Sequence, residues 1–452
     1  MRRFAKPWKI VKNIIKSFPL LLSVNSFPEV LFLEHKVCEE NSADTARGPF
    51  CLGERVRRDF PVFADPKLVY LDSAASAQKP DAVLRTMDEF YRTSYANIHR
   101  GVYPLSVQAT QSYDDARRVV AQFLGASAPE EIVFTRSATE AANLAAHSWG
   151  RKFVGEGDEI LVTLLEHHSN FVPWQMLAQE KRAGLKVVGL RDDLTLDVDD
   201  FVRKLSARTK LFCVTHLANA LGWGPPVAEL IELAHAQGAK VLIDGAQSVA
   251  HAPVNVRSFD ADFFIFSGHK LYGPTGIGAL YARREILEEM PPFMGGGDMI
   301  RSVSIKGTMY ADVPQRFEAG TPHISGAIGL AAAIEYVSAL GMENIAAHEE
   351  KLVRLLERRL AKIPQVKPLG PEGAHRGLVC FTFDNVHPHD LAQFLSDKFN
   401  VAVRAGHHCN QPLLEHLRIP ATTRASLGVY NTADDIEVLG EALEAAARFF
   451  KF

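Results

Sequence analysis

Cysteine is scarce in this chain: Cys38, Cys51, Cys213, Cys380 and Cys409 are five in 452 residues, an odd number with no CxxC spacing. That argues against a disulfide framework and a structural zinc site, and it predicts a compartment that keeps thiols reduced. A dominant charge of one sign is lacking too. With a net charge of -3 and 23% charged residues, nucleic acid is not an expected partner. No stretch approaches the roughly 20 clean apolar residues of a spanning helix, so no membrane anchor is expected. Metal binding is not expected either, because the adjacent His167 and His168 cannot easily share one ion and no third ligand has suitable spacing.

Acidic residues are missing before Glu29, while the same stretch carries six Lys/Arg. The apolar part, FPLLLSV, is short for a secretory signal and no small-residue cleavage site follows it. The missing acids fit an organellar transit peptide, but serine and arginine are sparse for one. The preferred reading is a dispensable or misassigned extension, disordered or targeting, over residues 1–55, since recognisable pattern begins only near Val56. The expected location is cytoplasmic, with an organelle as the alternative if the extension is a transit peptide.

What is present is a chain of ordinary hydrophobic content, 47%, long enough for two domains with substantial cores. From Glu131 short apolar strands (EIVFT, DEILVT, KVVGL, TKLFCVT, KVLID, DADFFIFS) alternate with helix-period segments. That alternation predicts an α/β fold with a mainly parallel sheet covered on both faces, and ligands beyond the C-terminal ends of its strands. After about Thr321 the pattern changes to two long helices, a few strands and a terminal helix. The expected organisation is a large domain over 56–320, whose N-terminal segment packs on the small domain, and a smaller α+β domain over 321–452.

Two strand ends carry the most informative chemistry. KVLID ends in Asp244, and DADFFIFS stops at Gly268-His269-Lys270 before a Gly/Pro-rich loop. An acid and an amine presented to one site are what pyridoxal phosphate chemistry requires: the lysine holds the cofactor covalently and the aspartate keeps its ring nitrogen protonated. Alone, such a lysine is as readily a surface residue. Ser137 and Thr139, between a strand and a helix, fit a phosphate at a helix N-terminus, with an ordinary N-cap as the alternative. Ser267 and His269 add donors from a second direction. His167, at another strand end, can lie over a flat ring and exchange protons, unless it only enters a helix. Cys409, in the loop RAGHHC, is the one cysteine read as reactive, with its neighbouring histidines able to lower its pKa or deliver a proton. Arg424 can grip a carboxylate with its planar fork, or form a surface salt bridge.

The segments LDSAASAQKP, NIHRGVYPLS, EHHSNFVPWQ, IDGAQS, SGHKLYGPTGIG and RAGHHC together resemble the type II cysteine desulfurases of the SUF pathway and their selenocysteine-lyase relatives. These belong to the class V aminotransferase-like branch. The likeness runs in order from about Val56 to the C-terminus. It implies fold type I of the pyridoxal-phosphate-dependent transferases, with a seven-stranded-type sheet, a homodimer, and conversion of L-cysteine to L-alanine with a persulfide on Cys409. It further implies Gln247 on the ring hydroxyl, His167 stacked on the ring, Thr321 of the partner subunit on the phosphate with Thr139, Ser267 and His269, and Asn219 and Arg424 on the substrate carboxylate, with Arg404 a weaker candidate. The sulfur acceptor would be a SufE-like or SufU-like protein, serving iron-sulfur cluster assembly. Ala138, Ala218 and Asn410 depart from the usual threonine, serine and alanine. A selenocysteine lyase shares every motif, and a non-catalytic scaffold that only binds a sulfur carrier is the alternative of another class.

Overall fold

The computed structural model describes residues 51–371 and 373–451, so the expectation for the extension lies outside the described residues except at 51–55. Those five belong to a short helix, Cys51–Val56, whose Leu52 packs on the main core and therefore belongs to the fold.

The main sheet has seven strands in the order Ile132–Thr135, Gly278–Ala282, Phe263–Ser267, Lys240–Asp244, Thr209–Thr215, Glu159–Thr163 and Gly184–Val188. All run one way except Gly278–Ala282, which is antiparallel to both neighbours. The sequence suggested no strand there, only the Gly/Pro-rich loop that leads up to it. Because successive side chains in a strand point to opposite faces, a sheet covered on both faces needs both alternate sets apolar. Phe263 and Ile265 belong to one core while Phe264 and Phe266 belong to the other, and Leu211 and Cys213 alternate with Phe212 and Val214 in the same way.

Four strands, in the order Val366–Leu369, Leu378–Phe383, Thr422–Ser426 and Arg404–Gly406, form a smaller antiparallel sheet. Its apolar face packs with Met342–Leu360, Pro388–Phe399 and Ala433–Phe449. The N-terminal segment joins this part of the molecule: Val69–Tyr70 pairs with Val401–Ala402, and Arg57 bonds Asp435 at 2.9 Å. The helix Ile324–Leu340, which the sequence suggested would open the smaller domain, packs instead on Asp81–Glu89 and Pro104–Leu124 in the large core. Its small residues explain the choice, since they let neighbours approach closely: a Cβ on Gly329 would come within 2.8 Å of the Met87 sulfur. Among the described residues no single helix is long and apolar enough to cross a membrane.

The loop after the Ile300–Ser304 and Gly307–Tyr310 hairpin is tied to the sheet edge by a buried charge cluster. Arg117 meets both oxygens of Glu318 at 2.6 and 2.8 Å, and Phe134 N–H and Tyr113 Oη donate to the same carboxylate. Removing one partner strands the other charge in a low-dielectric interior. Glu318→Ala is expected to lower the unfolding free energy by about 3–5 kcal/mol, checked as a lower urea midpoint than that of the parent protein.

Candidate active site

A cavity of about 160 Å³ opens where the parallel strands end. Asp244 and Ser267 are the last residues of adjacent strands and Lys270 follows in a tight 3-10 turn, Gly268–Lys270, so sheet register alone brings them together. Each parallel strand delivers its final side chain to the same edge, which is why residues distant in sequence meet here. Gly278 makes the corner possible: a Cβ there would lie 2.5 Å from Phe266 O and 2.9 Å from Ser137 Cα.

Lys270 and Asp244 both line the cavity. No hydrogen bond or ion pair reaches the lysine amine among the described residues, and desolvation pushes it down to about 8 despite the attraction of Asp244. Asp244 is buried, and its carboxyl is raised by that burial against the pull of Ala246 N–H, which donates to Oδ1 at 2.9 Å, and of Lys270. An amine without a partner and a nearly bare carboxylate, too far apart to pair with one another, suit a molecule that takes both.

The opposite wall is a helix start. Ser137 caps the helix Ala138–Ala145, its hydroxyl accepting Glu140 N–H at 3.4 Å, so the N-cap reading of this serine holds while the same residue lines the cavity. Ser267 Oγ accepts Ala138 N–H at 2.9 Å and keeps its own proton to donate. Thr139 and His269 line the same region, and burial brings the His269 imidazole down to about 4, leaving it neutral at pH 7. Gln247 Nε2 is held by Ala74 O at 2.9 Å.

His167 stands on the turn after Glu159–Thr163. Buried Glu166 anchors that turn by accepting from Thr163 Oγ1, Asn170 Nδ2 and Thr215 N–H, and its carboxyl is raised by burial to about 8. Burial and then Lys270 push the His167 imidazole down to about 3, so it is neutral. Its Nδ1 accepts Ser169 N–H at 3.0 Å, which leaves the ring proton on Nε2.

The small sheet supplies the remaining wall. Arg424 is buried rather than on the surface: Nη1 donates to Asn219 O at 3.0 Å, Nη2 meets Asp72 Oδ1 at 3.3 Å, and buried Nε has no partner. Asp72 was missed by the sequence reading although it sits in LDSAAS; its role needs the contact with a residue 352 positions away. Asn219 was expected on a substrate carboxylate, yet one of its amide protons is already given to His408 O at 2.6 Å. Arg404 lines the cavity and its Nη2 lies 3.8 Å from Cys409 Sγ. Cys409 is half-buried beside the cavity. The expectation that flanking histidines serve its thiol needs correction for His408, whose buried ring bonds Thr422 Oγ1 at 2.8 Å and is pushed down by burial to about 2. Thr321 does not line this cavity. It is exposed in an adjacent groove with Tyr113, Phe293 and His323. Among the described residues no group of His, Cys, Asp or Glu could hold a metal ion.

The donor set fits pyridoxal phosphate: hydroxyls at a helix N-terminus for the phosphate, Lys270 for the aldehyde carbon, Asp244 for the ring nitrogen and a neutral imidazole nearby. The family described as aminotransferase class-V matches residues 69–439. A cysteine desulfurase of Enterobacter sp. (strain 638) is 49% identical over 86% of this chain and 97% of its own length. The crystal structure of the cysteine desulfurase CsdA from Escherichia coli, in an S-sulfonic acid form, superposes with a TM-score of 0.83 at 39% identity, covering 88% of this chain and 98% of that one. The apo cysteine desulfurase of Thermococcus onnurineus NA1 superposes with a TM-score of 0.84 at 41% identity, over the same shares.

Proposed function

The chain belongs to the class-V aminotransferase family, and on that premise we propose that it is a pyridoxal-phosphate-dependent cysteine desulfurase that moves the sulfur of L-cysteine onto Cys409. The observation that carries the reading is the two-part site: Lys270, without a hydrogen-bonding partner among the described residues, and buried Asp244 on the large sheet, with a thiol from the small domain 3.8 Å from the guanidinium of cavity-lining Arg404. A lysine and aspartate alone would serve many reactions of this cofactor. The thiol selects sulfur removal.

Bound pyridoxal phosphate supplies a sink for the negative charge left on the substrate Cα. Asp244 holds the ring nitrogen, Gln247 the ring hydroxyl, and Ser137, Thr139, Ser267 and His269 the phosphate. Arg424, oriented by Asp72 and Asn219 O, holds the substrate carboxylate, and Asn219, with one amide proton given to His408 O, keeps the other to donate to it. Lys270, with its amine down to about 8, moves the Cα proton near neutral pH. His167 is neutral and offers its Nε2 proton. Cys409 Sγ takes the sulfur: the substrate Cβ–S bond breaks, an S–S bond forms, and Cβ gains the displaced proton, giving L-alanine and a Cys409 persulfide. The two sulfurs are oxidised as Cβ is reduced, so no external reductant enters this half-reaction.

The persulfide then passes to a SufE-like or SufU-like acceptor for iron-sulfur cluster assembly in a cytoplasmic, reducing setting. A homodimer is part of the proposal, with Thr321 reaching the partner's phosphate site. Val102, Val303, Ile305 and Met309 are large apolar side chains exposed in the single chain, as residues that a partner subunit covers would be. The test is alanine release from L-cysteine by the purified protein, alone and with each acceptor. Release matched by persulfide on the Cys409 peptide supports the reading, and a cofactor-loaded protein that yields no alanine under any condition removes it.

A further inference from the structure

The turn that presents His167 also grips the cysteine loop. His168 N–H donates to Cys409 O at 2.7 Å, and Gln411 N–H donates to His168 Nε2 at 3.0 Å. Between these contacts, the fully buried amide of Asn410 donates to Leu164 O at 3.2 Å. Its Oδ1 accepts Leu413 N–H at 3.4 Å and caps the helix Gln411–Leu417. On the other side Asn219 Nδ2 holds His408 O. The loop needs such holding, because His408 and Cys409 both have left-handed backbone, with φ of 52° and 56°, which side chains other than glycine rarely adopt. Among these contacts Asn410 is unusual in facing both ways. One end of its amide fixes the helix that follows the cysteine, and the other fixes the turn that carries His167.

We propose that Asn410 and His168 are positioning residues for sulfur transfer: together they latch the Cys409 loop to the Leu164–His168 turn and so set the thiol relative to the cofactor cavity. The inference rests on the desulfurase reading. The two are separable because latching changes the exposure of Cys409 whether or not the protein turns over L-cysteine. A buried amide cannot lose one partner cheaply, so the latch is two-sided or it opens. When it opens, the thiol leaves its place beside cavity-lining Arg404, and a displacement of about 1 Å is enough to slow a reaction roughly a hundredfold.

Asn410→Asp keeps the capping oxygen but replaces the donor to Leu164 O by an oxygen that repels it. His168→Ala removes the acceptor for Gln411 N–H and leaves Asn410 intact. Both are measured as cofactor-loaded full-length protein. Iodoacetamide labelling is followed on the peptide containing Cys409, and alanine release is followed with dithiothreitol clearing the persulfide. In each variant labelling is expected to speed up about tenfold and kcat to fall about tenfold or more, while KM for L-cysteine stays within about twofold because Arg424 is untouched. A merely structural loss would lower the melting temperature without that split. Parent-rate labelling in both variants overturns the latch, as does faster labelling with unchanged kcat. Faster labelling in a protein whose parent form releases no alanine instead overturns the desulfurase reading and leaves the latch as a feature of the loop.

Discussion

Lys270→Ala is expected to lose alanine release from L-cysteine by roughly a thousandfold or more, and to lose borohydride-fixed pyridoxal phosphate on the peptide that spans Gly268 to Gly278. The size follows from two functions resting on one amine. Among the described residues lining the cavity it is the only amine that can hold the aldehyde carbon, and burial brings it down to about 8, where it can act as a base near neutral pH. His167 cannot replace it as a base near pH 7 on proton affinity alone, being down at about 3, and His269 lies at about 4. Lys270→Arg separates charge from chemistry: a guanidinium preserves the positive charge but stays protonated, so it is expected to be as inactive as alanine. A peptide mass showing fixed cofactor in Lys270→Ala, or near-parent alanine release, would sink the assignment.

Cys409→Ser is the second large effect, and its pattern differs. Cofactor content and the borohydride-fixed mass on Lys270 are expected to stay at the parent level, while alanine release from L-cysteine falls roughly a thousandfold because the acceptor of the sulfur is gone. Cys213 and Cys380 offer no substitute. Both are buried, and burial raises the Cys213 thiol well above its usual range and the Cys380 thiol to about 11. The same variant, compared with the parent by kcat/KM on L-cysteine and L-selenocysteine, weighs the two substrates, since elimination of selenium needs less help from the thiol. Parent-rate transfer from L-cysteine to an acceptor by Cys409→Ser would remove the nucleophile assignment.

Much of the main sheet was legible because fully buried parallel strands must be apolar on both faces, and FFIFS, KVLID and TKLFCVT read that way without any knowledge of their partners. The strand Gly278–Ala282 was not legible. It follows a Gly/Pro-rich loop, and only its pairing between Ile132–Thr135 and Phe263–Ser267 shows it to be a strand. The helix Ile324–Leu340 was recognisable as a helix, but its alanines and glycines suit either core. Which one it joins was settled by close packing on Asp81–Glu89 and Pro104–Leu124. Asn410 stood out in the sequence only as a departure from the usual alanine. Its partner Leu164 O lies 246 positions away, on the turn after the strand Glu159–Thr163, and no local pattern points there.

The sequence by itself determined the chemistry on offer: a lysine and an aspartate at strand ends, hydroxyls at a helix start, a histidine turn and a cysteine in a Gly/His loop, each set by local spacing. Tertiary structure alone decided how those groups are held. It buries Arg424 against Asp72, turns His408 away to Thr422, desolvates Lys270, and hangs the Cys409 loop on the turn beside His167. The physical reason is that side-chain type is a property of one position. Desolvation, hydrogen-bond satisfaction and backbone strain arise only where segments far apart in sequence are packed against one another.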